Sequence, residues 1–137
     1  MQATLPSPSC PPPFGHAQVR ALVEHFYARV EADPRLGPVF ARHVHDWPAH
    51  LAQMTAFWNG LLRGEPGFSG APLARHLAIE GLDWPLFEHW LALFAGSARA
   101  CCPPAVAALA CERARRIAGH FWQHYQRHQS LPQHPGD

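Results

Sequence analysis

The 137-residue sequence contains no lysine, so arginine supplies all eleven of its basic side chains. Charged residues make up only 15% of the chain and the formal net charge is +1, which favours neither a nucleic-acid surface nor attraction to an anionic membrane. No stretch approaches the roughly 20 apolar residues of a membrane helix. The N-terminal residues also lack the basic and apolar regions of a signal peptide. We therefore expect a cytoplasmic protein without nucleic-acid or membrane partners.

The four cysteines, at positions 10, 101, 102 and 111, form no C-x-x-C pair. This spacing is not that of a zinc site. Cys101 and Cys102 are adjacent, an arrangement that does not suit a simple disulfide framework. We therefore expect reduced thiols, as in an intracellular protein.

The sequence also lacks the common catalytic motifs. It has no H-E-x-x-H, no G-x-S-x-G elbow, no H-x-E…P-C-x-x-C and no phosphate-binding G-x-x-x-x-G-K-[ST]. Its ten acidic residues form no evident inward pair of the glycosidase or di-iron kind. These absences exclude the best-marked hydrolase, deaminase and nucleotide-binding classes.

The sequence does contain one domain-sized segment with helical periodicity. Hydrophobic residues make up 47% of the chain, and within this segment they recur at helical spacing. Asp46-Trp47-Pro48 and Asp83-Trp84-Pro85 each combine a capping aspartate with a first-turn proline. No strand-like alternation is present, so the pattern predicts an all-α fold. The predicted helices span about 16–32, 47–63, 84–99 and 104–128, with a short helical corner at 36–40 and a short helix opened by Pro72. We divide the chain into a loose proline-rich tail at 1–13, a globular domain at 14–128 and a loose tail at 129–137.

Two histidines lie on apolar helix faces. His50 belongs to the apolar stripe of helix 47–63, and His76 lies between Leu73 and Leu77. One such histidine is more often a hydrogen-bonded core residue than a ligand. Two of them, on separate helices of a chain rich in inward aromatic residues, favour a haem slot, because haem needs an apolar slot and a neutral imidazole ligand.

Three further histidines, His120, His124 and His128, recur every four residues on the last helix. Their spacing leaves a surface metal site open as an alternative. No fourth ligand or carboxylate is evident near them, so solvated side chains are the simpler interpretation.

Short motifs between about residues 19 and 122 occur in the order and at the spacing of one known family. They are Phe26-Tyr27, Asp33-Pro34-x-Leu36-Gly37-Pro38-x-Phe40, His50, Phe57-Trp58, Pro72-Leu73-x-x-His76-Leu77 and Trp90-Leu91-x-Leu93-Phe94. Together they resemble the group III truncated haemoglobins of bacteria. The resemblance implies a truncated globin fold, a two-over-two helical sandwich around haem b. The haem would be non-covalent, since the C-x-x-C-H attachment motif is absent.

The resemblance also implies roles for individual residues. His76 would be the proximal iron ligand, and Tyr27 and Trp90 would donate hydrogen bonds to bound gas. His50 would occupy the distal gate, with Met54 one turn deeper. Independently of the resemblance, Arg75 directly precedes His76 and would either pair with a haem propionate, since arginine suits carboxylates, or remain solvated. The other expected haem contacts are Phe40, Phe57, Trp58, Leu73 and Leu77. The stretch 78–82, after the proximal helix, departs from the family's usual form.

The distal donors bear on function because bound O₂ carries partial negative charge, which a phenol O–H and an indole N–H can stabilise. Two such bonds of about 1–2 kcal/mol each would slow dissociation by ~10–1,000-fold. Slow dissociation favours a protein that keeps bound O₂ long enough for it to react over a protein that simply delivers O₂. Alternatively, hydrogen bonds within one Tyr–ligand–Trp network would compete with one another, and retention of the ligand would then be weaker.

The resemblance implies a monomer or weak dimer that binds O₂, NO and CO at ferrous iron. Nitric oxide dioxygenation with a separate reductase is the first functional hypothesis. A peroxidase-like redox activity, with His50 assisting proton transfer, is the second, and a plain oxygen carrier, scavenger or sensor is the third. A haem-free helical interaction domain is the remaining alternative.

Overall fold

The computed structural model describes residues 14–67, 79 and 81–130. Within this part of the chain the structure is helical, without a strand, as the sequence predicts. The helices are α1 (His16–Ala32), α2 (Leu36–His43), α3 (Trp47–Arg63), α4 (Trp84–Cys101) and α5 (Pro104–Ser130). None of these described helices is long and apolar enough to cross a membrane. The tail at 1–13, residues 131–137 of the second tail and the short helix opened by Pro72 lie outside the described residues.

Two of the helices begin at the repeated Asp-Trp-Pro signal. The Asp46 side chain accepts the Ala49 N–H at 3.1 Å, and the Asp83 side chain accepts the Leu86 N–H at 2.9 Å. These bonds satisfy amides that have no partner within the helix. At the other end of α3, Gly64 adopts a left-handed φ of 68°, a conformation that favours glycine and stops the helix.

Three helices end later than expected. The corner predicted at 36–40 is a helix, α2, that continues to His43. α4 continues to Cys101 instead of residue 99, and Cys102 then takes an extended conformation because Pro103 follows it. α5 continues to Ser130 instead of residue 128. The first helix-breaking residue downstream is Pro132, which disfavours helical backbone only at the residue before it. Neither α4 nor α5 therefore has a reason to stop at the predicted position.

The corner between α1 and α2 is organised by Asp33. Its carboxylate accepts the N–H groups of Arg35 and Leu36 at 3.0 and 2.8 Å, and lies 2.7 Å from His89 Nε2 on α4. Desolvation alone would raise the pKa of Asp33, but the Leu36 amide and the His89 and Arg35 groups together lower it. One carboxylate thus fixes the start of α2 and joins it to α4.

The helices pack as two pairs. α1 lies against α3 and also contacts α2 and α4, while α4 lies against α5. This is the expected two-over-two arrangement. Between the pairs, the Trp58 ring of α3 stacks on the Phe94 ring of α4 at a centroid distance of 4.7 Å. A row of buried small residues on α5 permits the close approach of α4: Ala107, Ala110, Ala114 and Ala118.

The core contains polar side chains that the apolar pattern does not predict. Thr55, Asn59 and Ser97 are all at most 2% exposed. Thr55 Oγ1 donates to the Leu51 carbonyl, and Asn59 Nδ2 donates to the Thr55 carbonyl, so α3 satisfies its own buried groups. In contrast, the predicted inward stripe of α3 is only half-buried, apart from Trp58. Its other members are Trp47, His50, Leu51, Met54, Phe57 and Leu61.

Candidate functional site

Four residues of the α3 stripe, His50, Met54, Phe57 and Trp58, line a cavity of about 630 Å³ to which all five described helices contribute. Its wall is largely apolar, and its volume lies in the range of cofactor pockets, about 300–1,000 Å³. The cavity explains why His50, Met54 and Phe57 are less buried than residues of a core face. The described wall residues that sequence analysis did not assign to the site are Leu36, Val39, His43, Val44, His45, Asp46, Ala49, Gln53, Ile79, Leu82, Leu86, Phe87, Ile117, Ala118 and Phe121.

Seven of the residues expected to face haem or its gas ligand lie along this one cavity: Tyr27, Phe40, His50, Met54, Phe57, Trp58 and Trp90. They come from α1, α2, α3 and α4, so only the folded chain brings them together. The other four expected residues, Leu73, Arg75, His76 and Leu77, lie outside the described residues.

Tyr27 supplies a hydroxyl at the cavity wall. Its side chain is 5% exposed, and its ring makes edge contacts with Phe26 at 4.8 Å and Phe40 at 5.8 Å. Burial raises the pKa of Tyr27, so the phenol keeps its proton and remains a hydrogen-bond donor at neutral pH. Among the described residues, none hydrogen-bonds to this hydroxyl.

His50, on α3, is surrounded by aromatic rings from three helices. Its ring centroid is 4.9 Å from that of Tyr27 and 5.5 Å from that of Trp47. The Phe40 ring is 6.4 Å away, and His50 Nε2 is shielded from solvent. These neighbours place one imidazole beside the Tyr27 phenol at the cavity wall.

Trp90 enters the cavity wall from the opposite helix pair. Its ring stacks on Phe94 with an interplanar angle of 10° and contacts the edge of Phe26 at 5.4 Å. Phe26 therefore supports both Tyr27 and Trp90. The next residue toward the N-terminus, His89, holds α4 to the Asp33 corner. The indole thus has a rigid setting.

The cavity has a polar rim between α2 and α3. His43 and His45 are exposed there, and Asp46 lies beside them. These histidines belong to the cavity wall as well as to the surface, which periodicity does not indicate because they lie at the end of α2 and in the following turn.

Tyr125 is a contact that sequence analysis missed. Its hydroxyl donates to the Ile79 carbonyl at 2.8 Å and accepts the Leu82 N–H at 3.1 Å. Both of these backbone groups belong to cavity-wall residues. The sequence places Tyr125 on a helical stripe but contains no local signal for a partner 46 residues away.

The histidine series on α5 does not form the alternative metal site within the described chain. His120 and His124 have ring centroids 4.4 Å apart, and the side chain of His128 is exposed. No group of three or more His, Cys, Asp or Glu side chains among the described residues could hold a metal ion. A close pair without a third ligand falls short of a structural zinc site.

The described residues fit a haem. The cavity offers an apolar slot rimmed by polar groups, and it sets a phenol and an imidazole at one wall. His76 would supply the iron ligand. It precedes the cavity-wall residue Ile79 by three positions, and the chain's reach keeps the two Cα atoms within about 11 Å.

Comparison with known proteins agrees with this fit. Residues 14–116 match the family model for bacterial-like globins. The group 3 truncated hemoglobin ctb of Campylobacter jejuni is 35% identical over 107 residues, which cover 75% of this chain and 84% of that protein. The crystal structure of a group III truncated hemoglobin from Campylobacter jejuni superposes with a TM-score of 0.77 at 32% identity, covering 81% of this chain and 91% of that one. The chain therefore belongs to the bacterial-like globins, as a group III truncated haemoglobin whose cofactor is non-covalent haem.

Proposed function

We propose that this globin binds O₂, NO and CO at ferrous haem held by His76, and that it uses O₂ to oxidise NO to nitrate. Haem supplies an iron with one coordination position open to a diatomic gas. Balance requires one electron for each NO and O₂ converted to nitrate, and a separate reductase would supply it. The proposal includes a cytoplasmic monomer or weak dimer.

One observation carries this proposal: a buried, protonated phenol faces an apolar cavity and has no hydrogen-bond partner in the described part of the chain. A donor at the wall of an apolar cavity is free to hydrogen-bond a ligand that enters the cavity. Tyr27 would donate its O–H to the negative end of a bound gas, and Trp90 would donate its indole N–H. Retention by these donors favours reaction of O₂ over its release.

Peroxidase-like chemistry is the second candidate, because an imidazole lies beside the phenol. The His50 ring, 4.9 Å from that of Tyr27, could pass a proton between the solvent side of the rim and the cavity. If His50 carries this proton, His50→Ala would reduce peroxide turnover strongly. Undiminished turnover in that variant would remove His50 from the mechanism.

The first test reduces the haem-loaded protein without air, adds O₂ and then adds NO. We expect a stable oxy spectrum that converts to the ferric spectrum on NO addition, with one nitrate formed per haem. Rapid oxidation by O₂ alone would favour the redox alternative instead. Failure to take up haem at all would refute the proposal.

The ligand assignment is tested separately with His76→Gly. We expect this variant to lose stable haem binding, whereas His128→Gly, which removes an exposed imidazole from the end of α5, should bind haem normally. An unchanged haem spectrum in His76→Gly would show that another residue ligates the iron.

A further inference from the structure

We propose that Tyr125 is a positioning residue of the haem site, because its hydroxyl clasps the chain segment that leads from His76 into α4. This inference rests on the proposed role of His76 as ligand. It concerns the two hydrogen bonds that join Tyr125 to the backbone of Ile79 and Leu82.

The clasp uses the full hydrogen-bonding capacity of a buried phenol. Tyr125 is 4% exposed, and its hydroxyl donates to the Ile79 carbonyl while accepting the Leu82 N–H. Both backbone groups lie at an apolar cavity, where an unpaired amide or carbonyl would be costly. Between them, Gly81 takes a φ of +81°, a turn conformation that favours glycine.

The phenol itself is firmly held. Its ring stacks on Trp122 with an interplanar angle of 20°, and Trp122 in turn contacts Trp84 and Phe87 of α4. The segment is fixed on its other side by Asp83, which caps α4. The hydroxyl therefore makes a fixed contact between α5 and residues 79 and 82, since the side chains around it have little freedom to move.

Ile79 follows His76 by three positions in the chain, so fixing Ile79 would restrict His76. A short chain tether limits the positions open to the imidazole, and a ligand held in advance loses less conformational entropy when it binds iron. Tyr125 would therefore act through the backbone, without touching haem, and would strengthen haem retention.

The test compares Tyr125→Phe, which keeps the ring and removes only the hydroxyl, with Ser97→Ala. Ser97 is buried and its Oγ lies 2.8 Å from His25 Nδ1, far in sequence from the clasp and outside the cavity wall. Haem loss to an excess of an acceptor apoprotein should be about tenfold faster in Tyr125→Phe and unchanged in Ser97→Ala. The iron–histidine stretching band of the ferrous protein should also shift or broaden in Tyr125→Phe alone.

Equal haem-loss rates and identical iron–histidine bands in the two variants would overturn the positioning role. If Tyr125→Phe does not fold, hydrogen exchange of the wild-type haem protein decides instead. We expect the Leu82 amide to be protected, and free exchange there would refute the clasp. A wild-type protein that takes up no haem would refute the proposed function itself, whereas haem uptake with no effect of Tyr125→Phe would refute only this inference.

Discussion

Removing the Tyr27 hydroxyl should change ligand retention and protein stability in different ways. In Tyr27→Phe the ring remains, together with its edge contacts to Phe26, Phe40 and His50. Only one polar atom disappears from the cavity wall. The variant therefore isolates the proposed donor from the packing that surrounds it.

The expected magnitude follows from one hydrogen bond to a partly charged ligand, about 1–2 kcal/mol. O₂ should dissociate about 5–30 times faster from Tyr27→Phe, measured in a stopped-flow instrument by displacing O₂ with excess CO. The free energy of unfolding of the apoprotein should stay the same or rise by up to about 1 kcal/mol, because no described group pairs with this hydroxyl. Urea unfolding followed by circular dichroism measures that quantity.

The other tyrosine of the chain provides the matched control. The Tyr125 hydroxyl has both a donor and an acceptor partner, so Tyr125→Phe should lower apoprotein stability by about 1–2 kcal/mol. The reasoning fails if Tyr27→Phe is destabilised like Tyr125→Phe while its O₂ release is unchanged. That pattern would make the Tyr27 hydroxyl a structural group.

Three other predictions concern the frame around the cavity. A Cβ at Gly37 would lie 2.8 Å from a backbone oxygen of α1, so thermal or urea unfolding should show that Gly37→Ala is destabilised by about 1–3 kcal/mol. As the control, Gly119→Ala should be neutral or stabilised, because a Cβ at Gly119 meets nothing within 4 Å. The lowered pKa of Asp33 means that its contribution to stability is present above about pH 4 and is lost as the pH falls through that pKa. Asp33→Asn should therefore lower the free energy of unfolding at pH 7, because it weakens the contacts to α2 and His89. In this variant the free energy of unfolding should also change less as the pH falls into the acid range, and the same pH dependence as in the wild type would contradict this. Burial, together with the neighbouring thiols, raises the pKa of Cys102 to about 11. Alkylation of Cys102 at pH 8, followed by mass spectrometry, should therefore be about 100 times slower than that of a cysteine in an unfolded peptide. Equal rates would contradict the raised pKa.

Helix positions were predictable because the signals that set them are local. Asp46 and Asp83 bond to amides three residues away, and proline ends a helix through its nearest neighbours. The errors in the ends of α4 and α5 arose where no local stop signal exists before the proline. The buried Thr55 and Asn59 were missed because their hydroxyl and amide groups bond to backbone one turn back, which lets a polar side chain occupy an apolar face.

The cavity was harder to predict, because a slot for a flat apolar cofactor needs the same residue types as a core. Periodicity alone assigned Met54, Phe57 and Trp58 to an inward stripe; only the family resemblance separated them from ordinary packing. His50 did carry a signal, since it places a polar group on an otherwise apolar helix face, whereas Tyr27 was assigned only through the family resemblance.

The contacts that hold the cavity's frame carried no such signal. Asp33 and His89 are 56 residues apart, and Tyr125 is 46 residues from Ile79. A helical pattern records which face of a helix is inward, but it does not record which distant backbone group a polar atom on that face will meet. Long-range polar contacts of this kind become visible only in the folded chain. In this globin they are also the contacts that fix the helices and the loop around the gas-binding cavity.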